Sequence, residues 1–296
     1  MPLSGIRIAI RPAVAMLASQ GRRWAIACSS DRVGTALVWS VLGGNLAHLP
    51  YRRDDGTVAG LDAPDADRRG VSRLSVAATF GMPYQTARGR VAALVADGLV
   101  EHAAGGLIVP AAVLGRPAMQ VAQRGDHDAL AEMVGLLVLA GYPLPARLTV
   151  AKVERLPTAI AARLALDFML RSLETARQMH GDILNSAIIG GIITANIRDL
   201  MADAGFARRY ADHDVPPPDH LRRPIPLRQL AREIDAPFVT VRRRVEAMRA
   251  AGDIVVLPAG LIVPAATLAR LRFQENNAII VRNMRQMLRD VMRITM

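Results

Sequence analysis

Residues 64–116 read PDADRRGVSRLSVAATFGMPYQTARGRVAALVADGLVEHAAGGLIVPAAVLGR, and residues 218–270 read PDHLRRPIPLRQLAREIDAPFVTVRRRVEAMRAAGDIVVLPAGLIVPAATLAR. The stretches align without a gap at an offset of 154, and 22 of the 53 aligned positions are identical. A repeat this long and intact is one folded unit present twice. In the first copy Val76, Ala77 and Phe80 recur at helical spacing and run into Gly81-Met82-Pro83. In the second, Leu230, Ala231 and Ile234 run into Asp235-Ala236-Pro237. Gly and Asp tolerate the positive φ of a tight turn, and Pro presets φ for the opening of a second helix. That helix buries the stripe Ala87, Val91, Leu94 or Val241, Val245, Met248, and Gly98 or Gly252 terminates it. A short apolar strand follows (Leu99-Val100; Ile254-Val255-Val256), then a turn with Gly106 or Gly260. A return strand Leu-Ile-Val is closed by Pro110 or Pro264.

Helix, tight turn, helix and β-hairpin make a winged helix-turn-helix. The run from Leu74 to Val100, with FGMPYQTARGRVAALVADGLV (residues 80–100) close to their helix-turn-helix pattern, resembles bacterial winged-helix transcription regulators of the MarR, GntR and Lrp kind. The resemblance covers roughly fifty residues in each half and is specific for the module rather than for one family. Pro83 and Pro237 stand where such regulators usually carry a Ser or Thr cap, which leaves the entry of the second helix open.

The duplication continues outside the module. Asp31 to Leu46 resembles Asp182 to Ile197 at an offset of 151, with Asn45 opposite Asn196. Leu130, Met133, Val134 and Leu137 correspond at an offset of 154 to Met284, Met287, Leu288 and Val291. The polar linkers are Pro50–Asp67 and Ala202–Leu221, the second expected to be extended around Pro216-Pro217-Pro218, and Thr158–Gln178 reads as a long helix. The expected fold is mainly α with small β-hairpins: two tandem winged helix-turn-helix domains whose flanking apolar helices form an intramolecular pseudo-dimer. The expected halves are 1–150, with its module at about 68–116, and 151–296, with its module at about 222–270. Independent beads on a string is the alternative. Strongly apolar flanking helices favour packing, because they would otherwise expose a large patch.

A net charge of +11 points to a polyanionic partner, and double-stranded DNA suits it best. Fourteen arginines against six acids fall between residues 222 and 296, so most of the excess lies there. Lys152 is the one lysine; Arg suits bidentate phosphate and guanine contacts, although the bias is also what genomic base composition produces. Cys28 is alone, which excludes an internal disulfide and suits a reducing cytoplasm, and a DNA partner would make that setting nucleoid-associated. The N-terminal apolar stretch, flanked by Arg7, Arg11 and Arg22-Arg23, matches a secretory signal poorly. Three apolar stretches, Ala36–Leu49, Leu130–Ala146 and Ile183–Ile197, are shorter than the ~20 residues that span a membrane. They read as buried helices joining halves or subunits, which leaves further homodimerisation open and expects no membrane partner.

The second helix of each module would meet DNA by its N-terminal part. Its outward positions are Tyr84, Gln85, Arg88 and Gly89 in one copy and Phe238, Val239, Arg242 and Arg243 in the other. Thr86 and Thr240 lie within reach of phosphates, Gln85 suits adenine edges, and Arg88 or Arg242 suits guanine. Arg90 and Arg244 project further round and read as phosphate contacts. The competing reading makes these arginines a solvated face. Arg68-Arg69 and Arg222-Arg223 either clamp flanking phosphate or cap an acidic surface of their own domain. Neither hairpin tip, Ala103–Gly106 or Leu257–Gly260, carries Arg or Lys, which argues against minor-groove gripping.

No glycine-rich nucleotide loop, GxSxG, HExxH or paired-cysteine pattern is present, so neither catalysis nor a cofactor is expected. Asp212-His213-Asp214 with Asp219-His220 reads as solvated linker rather than a metal site. Asp126-His127-Asp128 reads as a helix cap. Trp24, Trp39 and Tyr51 read as core, with an effector pocket as the alternative. Together these features describe a cytoplasmic DNA-binding transcription regulator reading an imperfect inverted repeat, its small-molecule effector unspecified. A chromosome-organising, replication or protein-interaction module is the alternative.

Overall fold

The computed structural model describes residues 6–200, 204–210 and 216–295. It is mainly helical with two small antiparallel hairpins. The first part of the chain runs through α1 (Ile6–Ala27), α2 (Arg32–Leu46), α3 (Arg73–Thr79), α4 (Tyr84–Ala96), β1 (Glu101–Ala103), β2 (Gly106–Ile108), α5 (Ala111–Leu114), α6 (Pro117–Leu139), α7 (Val150–Glu154) and α8 (Thr158–His180). The second part continues with α9 (Ile183–Ile197), α10 (Ala204–Arg209), α11 (Leu227–Glu233), α12 (Phe238–Ala250), β3 (Val255–Leu257), β4 (Gly260–Ile262), α13 (Ala265–Leu268) and α14 (Leu271–Ile294). Two compact units result: Met1–Arg11 with Thr175–Val281, and Pro12–Glu174 with Arg282–Met296. Each contains one whole copy of the repeat.

Within each copy the local chemistry is the same. The turn between the two short helices uses Gly81 at φ 58° and Asp235 at φ 50°, the residue types that reach this region at least cost. Pro83 and Pro237 then occupy the N-cap, one residue ahead of the helix, with φ near −55°. Ala87, Val91 and Leu94, like Val241, Val245 and Met248, face inward as the spacing requires. Gly98 and Gly252 end the helices at φ 62° and 72°, and the amides of Leu99 and Asp253 reach back to the carbonyls of Leu94 and Met248 at 2.9 Å. That back-turn changes the strand expected at Leu99-Val100. Both residues are buried beneath the helix end, 3% and 0% exposed, and pairing begins only at Glu101.

The hairpins turn tightly, Ala103 opposite Gly106 and Leu257 opposite Gly260. A single bridge adds the chain leading into the module, Val71 to Leu107 and Ile225 to Leu261. Here glycine is obligatory. Gly106 and Gly260 have φ of 142° and 140°, and a Cβ on either would stand 2.5 or 2.4 Å from the carbonyl oxygen of Val71 or Ile225.

The helix ahead of each module fastens the hairpin. Asp31 and Asp182 cap α2 and α9 by accepting from the amides of Gly34 and Asn185 at 2.7 and 2.8 Å. Near the other end the fully buried Asn45 donates through Nδ2 to the carbonyls of Arg69 (2.8 Å) and Leu107 (2.9 Å), while its Oδ1 accepts from Val109 (2.9 Å). Asn196 repeats the set with Arg223 (2.9 Å), Leu261 (3.0 Å) and Val263 (3.0 Å). Ile188, Ile192, Leu230, Val241, Val245 and Phe273 form the core around the second copy.

Several expectations change. The linker Ala202–Leu221 is not simply extended: Ala204–Arg209 is helical and Asp219–Leu221 forms a 3-10 turn. The second apolar stretch is helical only to Leu139, with Gly141 at positive φ, instead of running to Ala146. No helix among the described residues is long and apolar enough to cross a membrane. Asp126 caps nothing. It lies inside α6, fully buried, and accepts from Gln20 (3.1 Å), Arg23 (2.7 Å) and Trp24 (2.7 Å) on α1. Trp24 and Trp39 stack edge-on at 6.2 Å, and Tyr51 lies under the Arg163 guanidinium while donating to Asp167, so these aromatics are core.

Two outcomes follow. Asn196→Ala or Asn45→Ala leaves one carbonyl (Arg223 or Arg69) and one amide (Val263 or Val109) unpaired and takes one of two donors from Leu261 or Leu107, and denaturant unfolding should show a loss of about 2–4 kcal/mol. For Asp126, burial outweighs its three donors and pushes the carboxyl up to about 6. The folded form therefore holds its proton more tightly than the unfolded chain does. That stabilisation is complete below the unfolded value near 4 and is lost as pH rises through about 6. Relative to Asp126→Asn, unfolding free energy should decline by up to about 3 kcal/mol across that window.

Candidate nucleic-acid interface

Because Pro83 and Pro237 offer no capping side chain, the first amides of α4 and α12 are not capped from within the chain. Intrahelical bonding starts at Ala87 and Val241, whose amides donate to the prolyl carbonyls at 3.0 Å. The N–H groups of Tyr84, Gln85 and Thr86, and of Phe238, Val239 and Thr240, therefore precede the first intrahelical bond. They carry the positive end of the helix dipole. Around them Tyr84, Gln85, Thr86 and Arg88 are exposed on α4. On α12 Phe238, Val239, Arg242 and Arg243 are exposed, with Val239 at 68%, and Thr240 is half-buried.

The arginines divide sharply by partner. Arg88 and Arg243 make no ion pair among the described residues, and Arg242 stands 3.9 Å from Glu246 with both side chains more than half exposed. Arg90 and Arg244, expected to reach phosphate, turn back to the preceding helix. Arg90 pairs with Asp31 at 2.6 Å, and Arg244 pairs with Asp182 and with Asn185 at 3.0 Å. Burial works against the charge on Asp31, but the Gly34 amide and the Arg90 guanidinium hold its carboxyl below the ordinary value. These two arginines tie each exposed helix to the capping residue of the helix beneath it.

Arg68 and Arg222 also turn inward, away from any flanking phosphate. Their side chains are wholly buried. Arg68 donates to the carbonyls of Leu61 (2.7 Å) and Ala63 (2.8 Å) and pairs with Asp65. Arg222 donates to Pro217 (2.8 Å) and pairs with Asp219. Of the two alternatives for these residues, capping an acid of their own domain is the one found. The same acids accept from the amides of Ala111 and Ala265 at 2.7 and 2.6 Å, fastening the loop to the chain after the hairpin. Arg69 and Arg223 remain exposed, the latter paired with Asp199.

Other basic residues escaped the sequence reading. Arg228 and Arg232 on α11 and Arg249 on α12 are exposed, and the Arg228 guanidinium lies 5.6 Å above the Phe238 ring. Their counterparts at the 154-residue offset are Leu74, Ala78 and Val95, so the signal was a difference between copies rather than a likeness. Arg116 and Arg270 close the end of the exposed helix by donating to the carbonyls of Gly98 (2.7 Å) and Gly252 (3.0 Å). The hairpins contribute no positive charge at their tips, and β3 exposes Val255, Val256 and Leu257.

Among the described residues no cluster of His, Cys, Asp or Glu is arranged to hold a metal ion. Asp212-His213-Asp214 lie outside the described residues. No protein-family model, curated protein or solved structure matches this chain.

The division among arginines is measurable. Arg222→Ala removes a buried guanidinium from a carboxylate and a carbonyl, and should cost about 3 kcal/mol or more of unfolding free energy. Arg223→Ala, at an exposed pair, should cost under about 1 kcal/mol.

Proposed function

We propose that this chain binds double-stranded DNA sequence-specifically through two winged helix-turn-helix modules and acts as a transcription regulator. The observation that carries this reading is the pair α4 and α12. In both copies an uncapped helix start stands beside an exposed arginine, Arg88 or Arg243, that makes no ion pair among the described residues. An uncapped helix start is a ready anion site, and a helix of this length enters the major groove by such an end. Arg88 and Arg242 suit guanine edges, Gln85 suits adenine, and Phe238 and Val239 suit the thymine methyl. Arg228, Arg232, Arg243 and Arg249 suit phosphate, so the second copy supplies more of the salt-dependent affinity.

Under this reading the two modules work as an intramolecular pseudo-dimer on an imperfect inverted repeat, in adjacent major grooves about one turn (~34 Å) apart. The chain would then reside with the nucleoid in the cytoplasm. A second reading has its own support. The exposed apolar strand Val255–Leu257 and the uncharged hairpin tips suit a protein partner, as in a chromosome-organising or replication module.

Anisotropy titrations on random and selected duplexes at several salt concentrations separate the two. DNA binding predicts affinity that falls steeply with salt. Arg242→Ala/Arg243→Ala should lower the logarithmic salt slope by about one through Arg243, relax guanine selectivity through Arg242 and weaken binding at least tenfold. Arg90→Ala should leave the slope unchanged. Affinity indifferent to salt and to the double substitution would favour the protein-binding reading.

A further inference from the structure

The last helix of each half carries the same buried stripe. Leu130, Met133, Val134 and Leu137 of α6, and Met284, Met287, Leu288 and Val291 of α14, are all 0–1% exposed. Their 154-residue offset fixes the register of the outer faces too. Asp128, Glu132, Gly135 and Leu139 on α6 are the counterparts of Arg282, Gln286, Arg289 and Arg293 on α14. Spacings of three and four residues place each set on one helix face. Asp128, Glu132 and Leu139 are exposed, and so are Arg282, Arg289 and Arg293. One duplicated face is thus acidic in the first half and basic in the second.

The acidic stripe also walls a groove between α6 and α7, lined by Asp128, Glu132, Leu136, Leu139, Val150 and Glu154. On a chain of net charge +11 these three carboxylates have no ion-pair partner among the described residues. At the other end of the groove Leu136 and Leu139 are 45% and 84% exposed. The basic stripe is weakly engaged. Among the described residues Arg289 donates only to its neighbour Gln286 at 2.6 Å, and Arg293 stays 72% exposed beside Asp290.

We propose that this chain self-associates, the α6–α7 groove of one copy receiving the α14 stripe of a second. Run antiparallel, the helices bring Arg293 opposite Asp128 and Arg289 opposite Glu132. Both pairs are spaced four residues apart, ~6 Å along the axis. The aliphatic stem of Arg282 and the side chain of Gln286 then cover Leu136 and Leu139. Each chain carries both stripes, and the proposed dimer is the two-fold arrangement in which the contact is made twice and closes on itself. Exposed ion pairs are individually weak, and the contact draws on several of them with the covered leucines. It stands independently of DNA binding.

Sedimentation velocity on the full, nuclease-treated chain tests this. The variant Asp128→Arg/Glu132→Arg carries two basic stripes, and Arg289→Glu/Arg293→Glu carries two acidic ones. Wild type should be dimeric at low salt and dissociate at least tenfold more readily near 0.5 M salt, where charges are screened within about 4 Å. Each variant alone should be monomeric with an unchanged circular dichroism spectrum. An equimolar mixture should regain the dimer, because both contacts become complementary again. Should a reversal unfold the chain, Glu132→Gln and Arg289→Gln make the same comparison, each weakening association at least threefold. A monomeric wild type overturns the proposal. So does a dimer indifferent to these substitutions, which would place the interface on other helices, or a mixture of folded variants that stays monomeric. If wild type is monomeric and Arg289→Glu/Arg293→Glu loses duplex binding, the basic stripe belongs to DNA.

Discussion

One buried carboxamide holds each copy of the repeated unit together. Asn45 and Asn196 meet three strand segments at once: the chain entering the module, the return strand and the residue that leaves it. The entering chain pairs with the hairpin through a single bridge, too little to fix its position alone. The asparagine supplies two donors and one acceptor from the preceding helix, where no water competes. Aspartate of the same shape lacks the donors, and leucine lacks both. Once the hairpin is fastened to α2 or α9, the exposed helix is held from both ends. The hairpin follows its C-terminal glycine, and Arg90 or Arg244 pins its first turns to the Asp31 or Asp182 cap. The direction in which α4 and α12 face solvent is set by this frame.

Much of the frame was legible because backbone conformation leaves strong marks in sequence. Positive φ at Gly81, Asp235, Gly98 and Gly252 is where a short side chain or none is wanted, and the repeat displayed each of them. The buried stripes at 87, 91, 94 and at 241, 245, 248 followed from the helical period alone. The pairing of Asn45 with Asn196 was visible, but not its meaning, since an amide on an apolar helix has no periodic signature of its three partners. Strand onset in the first copy was misplaced because Leu99 and Val100 look like strand residues and are buried for another reason. Asp126 was misread because a DHD triplet resembles a cap, whereas its partners Gln20, Arg23 and Trp24 lie about a hundred residues away.

Arginine was the least legible residue. Sequence counts its charge and does not say which way the guanidinium turns. Five arginine positions are identical between the copies, at 68, 69, 88, 90 and 116 in the first. Three of the five pairs serve the fold, through a buried loop anchor, a tie to a helix cap and a seal on a helix end. In a duplicated chain, identity marks what the shared fold requires at least as strongly as what a shared ligand requires. Differences between copies are the better guide to function. The basic additions Arg228, Arg232, Arg243 and Arg249, and the exchange of Asp128 for Arg282 between α6 and α14, all lie on exposed faces above matching buried stripes.

The paired prolines fit the same logic. A Ser or Thr at position 83 or 237 would fill a free amide of the exposed helix from within and stabilise it by about 1 kcal/mol. Both copies forgo that and keep a residue that fixes the approach of the chain while accepting no bond from the amides. A capping side chain would satisfy an amide, whereas proline presets φ at the helix entry and restricts the unfolded chain. An uncapped start costs stability unless an anion from outside completes it. Phosphate completes it in the proposed DNA complex, and the arginines around Phe238 add the charge that makes the same end attractive at a distance. That both copies kept proline while their exposed side chains diverged is what the shared fold asks, because proline presets the backbone that enters the helix, and it leaves the amides open in the proposed complex.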